Sequence, residues 1–359
     1  MSGLSIVTAK VDWDRAAAAA IAPSVTLSHQ YVKAAELLEL GGKAELALFE
    51  ADGEILAHPY IRRAIPGAAG VEDITSAYEF GGFWASTRDA NLLAALMRGF
   101  GEAFRAYALE QRIVSEFTRI HPFSDGRLTQ HAYDVKEVAS HAVVKLEGPH
   151  QAIFDAYPPQ LRTAIRKAER HGLRVERVHD FAAFVSIYYA NLDRLGAKPY
   201  YYFPPAFFAA AQPMLELYHV VDADGGLCAA HTYLRDGDLL FSFLCHGVRD
   251  RQELRPNDFG CDQIIRQSLA RGDCRALHLG GGQPSLLRYK AKFTPHVVPF
   301  YIATKIFDET TYGALVEQRE REIGARVEGS SFFPLYRAVP PSPAQQPERN
   351  RSSDSAQEP

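Results

Sequence analysis

The chain has 359 residues, 47% of them hydrophobic and 23% charged, with a formal net charge of −4 at pH 7. These values are typical of a globular protein with room for two domains, and they exclude nucleic-acid binding through overall positive charge. No stretch approaches the roughly 20 apolar residues that cross a bilayer, and the first residues lack a signal-peptide pattern. We therefore expect no membrane span and a cytoplasmic protein. Its four separated cysteines favour reduced thiols, and no metal site is expected.

The first half contains two strands, a helix and a further strand. Residues 47–61, ALFEADGEILAHPYI, give a strand, a turn and a second strand. A helix is predicted over residues 89–109, and the segment RIVSEFTRI at residues 112–120 alternates like a strand.

The second half has clearer boundaries. Prolines 158 and 159 precede an amphipathic helix that ends near Gly172, and Asp180 caps a helix that ends near Gly196. Residues 215–247 contain three strands joined by glycine turns, and a helix over about residues 258–271 leads to the strand RALHL. This order predicts an α/β fold with a mixed sheet and helices on both faces.

The two halves share a short motif. Residues 47–61 and 220–234 both contain Ala-Asp-Gly followed by Ala-His-x-Tyr, and a helix and a strand follow each copy. We predict two related domains, residues 1–146 and 147–338. Residues 339–359 are rich in Pro, Ser, Gln and charge, which predicts a disordered tail.

The most unusual chemistry lies at residues 274–293, CRALHLGGGQPSLLRYKAKF. A strand leads directly into Gly280, Gly281 and Gly282, and Tyr289 and Lys290 follow. Glycines at the carboxyl end of a strand let a ligand approach the backbone, and a lysine there can stabilise an oxyanion or bind phosphate. The alternative is a flexible turn with a solvated lysine.

Three further segments are candidates for a binding cleft. Residues 58–84 are dense in aromatic, hydroxyl and glycine groups, which is typical of a binding wall. Residues 114–123 either direct Glu116 or Arg119 into a cleft or form an edge strand. The aromatic run KPYYYFPP at residues 198–205 either lines the same cleft or packs in the core. The chain lacks P-loop, GxGxxG, GxSxG and HExxH motifs, which disfavours redox, phosphoryl-transfer and zinc-hydrolase chemistry.

Together these segments resemble the FemABX-like branch of the GNAT acyltransferase superfamily, over most of residues 20–337. The resemblance rests on HPYIRR…DITSAYEFGG, VSEFTRIHP, LRTAIRKAERHGLRV and LHLGGG followed by LLRYKAKF. It implies two tandem GNAT-like domains, each a mixed, mostly antiparallel sheet flanked by helices. It also implies transfer of an aminoacyl group from aminoacyl-tRNA to a small amine acceptor, in a natural-product or cell-envelope pathway, with no bound cofactor or metal.

The resemblance also suggests residue roles. Lys290, in the aromatic-Lys-x-x-Phe pattern, corresponds to the family's lysine near the reacting carbonyl. The candidates for the general base are Asp73, His231 and Tyr233. The second domain carries the donor and the first faces the acceptor. The predicted donor-binding residues are Arg166, Lys167, Arg170, Gly280, Gly281, Gly282 and Tyr289. The predicted acceptor-binding residues are Arg62, Tyr78, Trp84, Glu116, Arg119 and Tyr201.

Two other functions stay open at the level of the sequence. Acyl-CoA is the alternative donor, but ELRPNDFG at residues 253–260 offers only Gly260 where GNAT enzymes carry an RxxGxG/A loop. A non-catalytic binding protein on a GNAT scaffold is the second alternative. Whether the protein is a monomer or a dimer is also open.

Overall fold

The computed structural model describes residues 3–39, 41–124, 129–327, 330 and 332–339. The strands are β1 (Gly3–Val7), β2 (Lys43–Ala51), β3 (Glu54–Ile65), β4 (Ala68–Thr75), β5 (Trp84–Ala85), β6 (Ile113–Arg119), β7 (Asp134–Lys145), β8 (Arg174–Val178), β9 (Leu215–Val221), β10 (Leu227–Asp236), β11 (Leu239–Gly247), β12 (Ala276–Gly280) and β13 (Val297–Ile306). The α-helices are α1 (Lys10–Ala19), α2 (His29–Ala35), α3 (Ala90–Glu110), α4 (His150–Ala156), α5 (Pro159–Arg170), α6 (Ala182–Leu195), α7 (Pro205–Ala211), α8 (Pro256–Arg271), α9 (Pro284–Lys290) and α10 (Glu309–Ile323).

The strands form one sheet, in the order β1-β2-β3-β4-β6-β13-β7-β12-β11-β10-β9-β8, with β5 paired to β3. Strand β4 is parallel to β6, and β11 is parallel to β12. The order on one side of the sheet therefore mirrors the order on the other. This pseudo-symmetry matches the internal repeat in the sequence, and the mixed sheet with flanking helices confirms the predicted fold class.

The two central strands are exchanged between the halves. Strand β7 comes from the first half of the sequence and pairs with β12 of the second, while β13 pairs with β6 of the first. The exchanged strands also pair with each other. Each half of the sheet is therefore completed by a strand from the other half of the chain.

The carboxyl ends of β6 and β12 point toward one another across this exchanged pair. Strand β6 ends at Arg119, opposite Ile302 of β13. Strand β12 runs in the opposite direction and ends at Gly280. Gly280 lies opposite Ala142 of β7, and Ala142 in turn lies opposite Val297 of β13. The residues that follow β6 and β12 consequently meet near the centre of the sheet.

Helices cover both faces of the sheet. On one face a single buried cluster spans both halves and includes Trp13 of α1, Tyr31 of α2, Phe184 of α6 and Phe207 of α7. On the other face the core is divided, because α3 covers the first half and α4, α5 and α8 cover the second. Neighbouring residues of a strand alternate between the faces, as Ala229 and Ala230 do.

Local signals placed most helix ends correctly. Asp89 caps α3 by accepting from two backbone N–H groups, and Asp180 accepts from the N–H of Ala182 at 2.9 Å. Gly196 ends α6 in the left-handed conformation, with φ at 57°. Helix α8 begins at Pro256, two residues before its predicted start, because proline is favoured in the first turn.

The chain divides into two compact units, Met1–Phe307 and Asp308–Pro359. In its described part the second unit contains α10 and a short 3-10 turn, Leu335–Arg337, and the Nε group of Arg319 donates to the carbonyl of Ala338 at 2.9 Å. Residues 340–359 of the predicted tail lie outside the described residues, and the division at residues 146 and 147 stays a prediction. Among the described helices, none combines the length and apolarity needed to cross a bilayer.

Candidate active site

A cavity of about 330 Å³ lies between β11 and β12, where the two parallel strands stop pairing. Their ladder extends only from Leu239 to Phe241, opposite Ala276 to His278, although β11 continues to Gly247. The cavity is lined by His231, Tyr233, Ser242, Cys245, Asn257, Cys261, Leu279, Leu286, Tyr289, Lys290 and Phe293. The predicted Lys290, Tyr289, His231 and Tyr233 are therefore brought together.

Lys290 is the last residue of α9. Its Nζ donates to the carbonyl oxygen of Gly281 at 3.0 Å, which directs the ammonium group back over the glycine segment. Burial lowers the pKa of Lys290, while Cys245 and Glu79 act in the opposite direction. An ammonium group bonded to one carbonyl retains donors for a ligand oxygen.

The three glycines let this segment pass close to β7. Gly280 and Gly282 have positive φ values of 77° and 111°, a region that strongly favours glycine. A Cβ atom on Gly281 would lie 2.4 Å from Cδ2 of His141 and 2.7 Å from the carbonyl oxygen of Ser140. The tight approach presents the Gly281 carbonyl to Lys290; binding of the donor by these glycines stays a prediction.

His231 and Tyr233 are linked to each other on β10. Nε2 of His231 is 2.9 Å from Oδ1 of Asn257, and the Tyr233 hydroxyl is 3.4 Å from Nδ1. Burial lowers the pKa of His231 and raises that of Tyr233, so both groups are neutral near pH 7. Because Asn257 and Tyr233 engage both ring nitrogens, the geometry favours a positioning role for His231.

Glu79 is a candidate base that the sequence did not single out. It follows β4 with a φ of 68°, an uncommon conformation for a residue with a side chain. Its neighbours hold it in place: the ring of Tyr78 lies 4.7 Å from that of Phe203, and the ring of Phe80 lies 5.4 Å from that of His278.

The charge of Glu79 depends on both halves of the chain. Burial raises its pKa to about 7, against the opposing effects of the cations Lys290 and Arg119. A carboxylate with a pKa near 7 is suited to general-base catalysis. The segment AYEFGG carried a usable signal, a charged residue between two aromatic residues ahead of a glycine pair.

Three of the predicted acceptor-binding residues lie near Glu79. Tyr78 packs between Phe203 and Phe243, and the charges of Glu79 and Arg119 act on its hydroxyl. The rings of Tyr200 and Tyr201 are tilted by 34° with their centroids 4.0 Å apart, and the charge of Arg119 acts on Tyr200. Tyr78, Arg119 and Tyr201 are thus brought to one place, where the first half meets the aromatic run of the second.

The other predicted residues of the first half have partners elsewhere. Oδ1 of Asp73 accepts from Nε of Arg63 at 2.7 Å, and Nε of Arg62 donates to Glu72 at 3.0 Å. Glu116 is completely buried and accepts hydrogen bonds in the core of the first half, from Tyr133 at 2.8 Å among others. This geometry favours structural roles for Arg62, Asp73 and Glu116 over contact with a substrate.

The counterpart of the cavity in the first half is filled. His58 and Tyr60 of β3 correspond to His231 and Tyr233 of β10 in the internal repeat. The His58 ring stacks on Phe83 with centroids 4.2 Å apart, and its Nε2 is 2.8 Å from Glu116. Aromatic rings therefore occupy the first half where the second half has an open cavity.

Trp84 lines a different and larger cavity of about 530 Å³. That cavity lies beside the start of α3 and the β10–β11 turn, and its walls include His121, Asp236 and Arg275. Asp236 is engaged there by His121 at 3.1 Å and by Ser24 at 2.8 Å. We assign the chemistry to the smaller cavity because Lys290 lines it.

The predicted basic helix, α5, contributes an exposed cationic surface. Arg166 and Arg170 are exposed, and the guanidinium of Arg166 lies 5.5 Å from the ring centroid of Phe154. Lys167 instead donates to the carbonyl of Glu253 at 2.8 Å, in the turn just before α8. Helix α5 is therefore attached to residues 253–260, the segment where the sequence resemblance would place a donor loop.

The start of α8 is a poor cradle for a diphosphate. Arg255 precedes the helix with a φ of 60°, Pro256 has no N–H group to donate, and the buried Asp258 carries a carboxylate in the first turn. A Cβ atom on Gly260 would lie 2.7 Å from Cε1 of His231, so this glycine allows α8 to approach β10. In the described part of the chain, no group of three His, Cys, Asp or Glu residues is arranged to hold a metal ion.

Comparison with known proteins finds a family match in one segment of the chain. Residues 159–291 match the family described as "Acetyltransferase (GNAT) domain". This segment of the second half is similar to a GNAT acetyltransferase domain. The match includes α5, the divided strands β11 and β12, and Lys290, and it confirms the prediction that the protein is an acyltransferase. No curated protein matches the chain in sequence.

Solved structures share the fold of nearly the whole chain. The crystal structure of FemX superposes with a TM-score of 0.65 at 10% identity, covering 87% of this chain and 99% of FemX. The C-terminal domain of a putative lysylphosphatidylglycerol synthetase from Agrobacterium fabrum gives 0.52 at 15% identity, covering 86% and 94%. A conserved protein of unknown function from Bacteroides thetaiotaomicron gives 0.52 at 11% identity, covering 85% and 99%. These similarities confirm the predicted FemABX-like fold.

Proposed function

We propose that this GNAT-fold acyltransferase moves an aminoacyl group from aminoacyl-tRNA to a small amine in the cytoplasm, forming an amide in a natural-product or cell-envelope pathway. The observation that carries the proposal is that the charge of Lys290, which lines the cavity between β11 and β12, acts on Glu79 from the other half of the chain. An acid–base group and a cation from opposite halves suit a reaction between two bound substrates.

In the proposed reaction the neutral amine nitrogen of the acceptor attacks the ester carbonyl carbon of the donor and gives a proton to Glu79 as the carbon–nitrogen bond forms. The Nζ group of Lys290 donates to the developing oxyanion. When the tetrahedral intermediate collapses, the new carbon–nitrogen bond is kept and the bond to the ribose oxygen breaks. The proton held by Glu79 passes to that oxygen, so the enzyme returns to its starting state.

Three observations favour aminoacyl-tRNA as the donor. The start of α8 offers a carboxylate and a proline where the diphosphate of CoA requires N–H donors. The exposed cations of α5 lie beside the same segment and suit an extended polyanion. FemX and the putative lysylphosphatidylglycerol synthetase domain share the fold, and the second name denotes transfer of an amino acid.

An acyl-CoA-dependent N-acetyltransferase is the second candidate. It is favoured by the family match itself, which is to an acetyltransferase domain and covers residues 159–291. The two donors leave products of different mass on the same amine.

A product assay with both donors tests the proposal. The protein is incubated with a pool of amines and either mixed aminoacyl-tRNA or acetyl-CoA, and the products are identified by mass spectrometry. We expect aminoacyl amides from the tRNA donor. Acetylated amines alone would establish the acetyltransferase, and no product from either donor would favour a binding protein and contradict the proposal.

A further inference from the structure

Arg119 is a partly buried cation whose guanidinium has no hydrogen-bonded or ion-paired carboxylate among the described residues, although the charges of Glu39 and Glu79 act on it. Its backbone is fixed, since its N–H group donates to Ser76 at 3.1 Å and its carbonyl accepts from Gly81 at 2.7 Å. Its guanidinium lies 5.1 Å from the ring centroid of Phe117, yet forms no hydrogen bond or ion pair with any described residue. Burial lowers the pKa of Arg119, while Tyr78, Glu39 and Glu79 act in the opposite direction.

Other arginines of the same sheet are paired. Arg63 binds Asp73 at 2.7 Å and Glu39 at 2.8 Å, and Arg235 binds Glu216 at 2.7 Å. An unpaired charge held away from water is costly, so such a group is expected to have a ligand when the protein works. Arg119 therefore differs from its neighbours in a way that points to an anion from outside the chain.

The position of Arg119 relates that anion to the acceptor. The carboxylate of Glu79 interacts electrostatically with both Arg119 and Lys290, so both cations act on the proposed base. Tyr200 and Tyr201 are 63% and 42% exposed, and the charge of Arg119 acts on Tyr200. An acceptor whose anion binds Arg119 can rest on these rings and direct its amine to Glu79.

We propose that the acceptor is an amine that also carries an anionic group, a carboxylate or a phosphate, and that the Arg119 guanidinium binds this group. The inference rests on the proposed function, because it names the chemical class of the acceptor. A guanidinium binds either anion through two parallel hydrogen bonds, and these charge-assisted bonds are stronger than neutral ones. Arg119 acts as a specificity residue that positions the amine.

Matched pairs of amines test this inference without any donor. L-tyrosine and tyramine differ by a carboxylate, and O-phosphoethanolamine and ethanolamine differ by a phosphate. Binding of each to the full chain is measured by calorimetry and by the shift in melting temperature. In at least one pair we expect the anionic amine to bind about tenfold or more tightly than its neutral partner, as charge-assisted hydrogen bonds provide. The pair that shows the difference distinguishes carboxylate from phosphate.

The variants Arg119→Gln and Arg98→Gln identify the residue responsible. Arg98 is exposed on α3, and its replacement should leave the preference unchanged. Arg119→Gln should abolish the preference without lowering the melting temperature of the free protein, because no ion pair is lost. Equal affinity within both pairs, or a preference that persists in Arg119→Gln, would overturn the inference.

Failure of the anion-binding inference can be distinguished from failure of the proposed transfer reaction. Lys290→Ala should keep the binding preference, because Lys290 acts on the donor carbonyl. If the protein prefers anionic amines but transfers no acyl group to them, the proposed reaction is contradicted and the anion-binding site is supported. If the protein transfers the acyl group equally well to both members of each pair, the anion-binding site is contradicted and the proposed reaction is supported.

Discussion

Glu79 is the residue whose chemistry depends most on its surroundings. Burial raises its pKa to about 7 against the opposing charges of Lys290 and Arg119, and its backbone lies in the left-handed region. The same carboxylate in an ordinary exposed turn would be ionised well below that pH and would be a much weaker base.

The first prediction concerns the pH dependence of transfer. Because the base must be deprotonated, kcat/KM should rise as the pH increases through about 7 and then level off. Glu79→Gln should reduce kcat/KM by about 10²–10⁴ and remove this rise, since general-base catalysis is worth that much. Glu50→Gln, at an exposed position of β2, is the control. An unchanged pH profile in Glu79→Gln would exclude Glu79 as the base.

A second prediction follows from the same group in the absence of substrate. The folded protein holds the Glu79 proton more tightly than the unfolded chain, whose glutamate titrates near 4.5. Relative to Glu79→Gln, the wild-type free energy of unfolding should therefore fall as the pH rises from about 4.5 to about 7, and then stay constant. Denaturant titrations of both proteins across this range measure the difference. A constant or rising difference would show that the pKa of Glu79 is not raised.

The sequence predicted residues of the site unevenly. Lys290 and Tyr289 lie in one short motif, and His231 and Tyr233 are two apart on one strand, so local spacing was enough to place each pair. Asp73 and Glu116 lie in two equally suggestive segments, residues 58–84 and 114–123, but only the structure shows that Asp73 is held by Arg63 and that Glu116 is buried. Glu79 was missed because its raised pKa arises from burial in the folded chain, against the charges of Lys290 and Arg119, which are distant in sequence.

At the scale of elements, α5 shows what local sequence signals determine. Its proline start, apolar stripe and glycine stop were all readable, and the helix occupies Pro159–Arg170 as expected. Its cations proved different from one another. Arg166 and Arg170 are exposed, whereas Lys167 is engaged by the Glu253 carbonyl and holds α5 against the turn before α8.

The third prediction separates these cations. The double variant Arg166→Glu and Arg170→Glu should weaken aminoacyl-tRNA binding and reduce the slope of log affinity against log salt by about 1 to 2, because each lost phosphate contact releases about one counter-ion fewer. Melting temperature should change little, since both side chains are exposed. Binding measured from low to moderate salt gives the slope. An unchanged affinity and slope would leave α5 as an ordinary solvated helix.

At the scale of the whole molecule, the exchange of β7 and β13 was not predictable from the sequence. Hydrophobic periodicity identifies a strand but does not identify its partner, and both strands pair with segments distant in the chain. The element order and the Ala-His-x-Tyr repeat did indicate two related halves. The exchange adds that each half of the sheet is incomplete by itself.

The fourth prediction uses this dependence. Residues 1–146 expressed alone would lack β13 and expose the edge of β6, and residues 147–338 alone would lack β7 beside β12. Neither fragment should unfold cooperatively, while co-expressed fragments should associate and recover a cooperative transition. Circular dichroism during thermal unfolding measures both. A cooperative transition in either fragment alone would show that its half is an independent folding unit.

The rate of amide formation by Lys290→Ala tests the proposed chemistry most directly. In a single-turnover assay with aminoacyl-tRNA and saturating amine, its rate should be about 10²–10³ below that of the wild type, the usual loss when an oxyanion donor is removed. Lys145→Ala, at an exposed end of β7, should react at the wild-type rate. Near-wild-type amide formation by a folded Lys290→Ala protein would contradict the assignment of this cavity as the site of transfer.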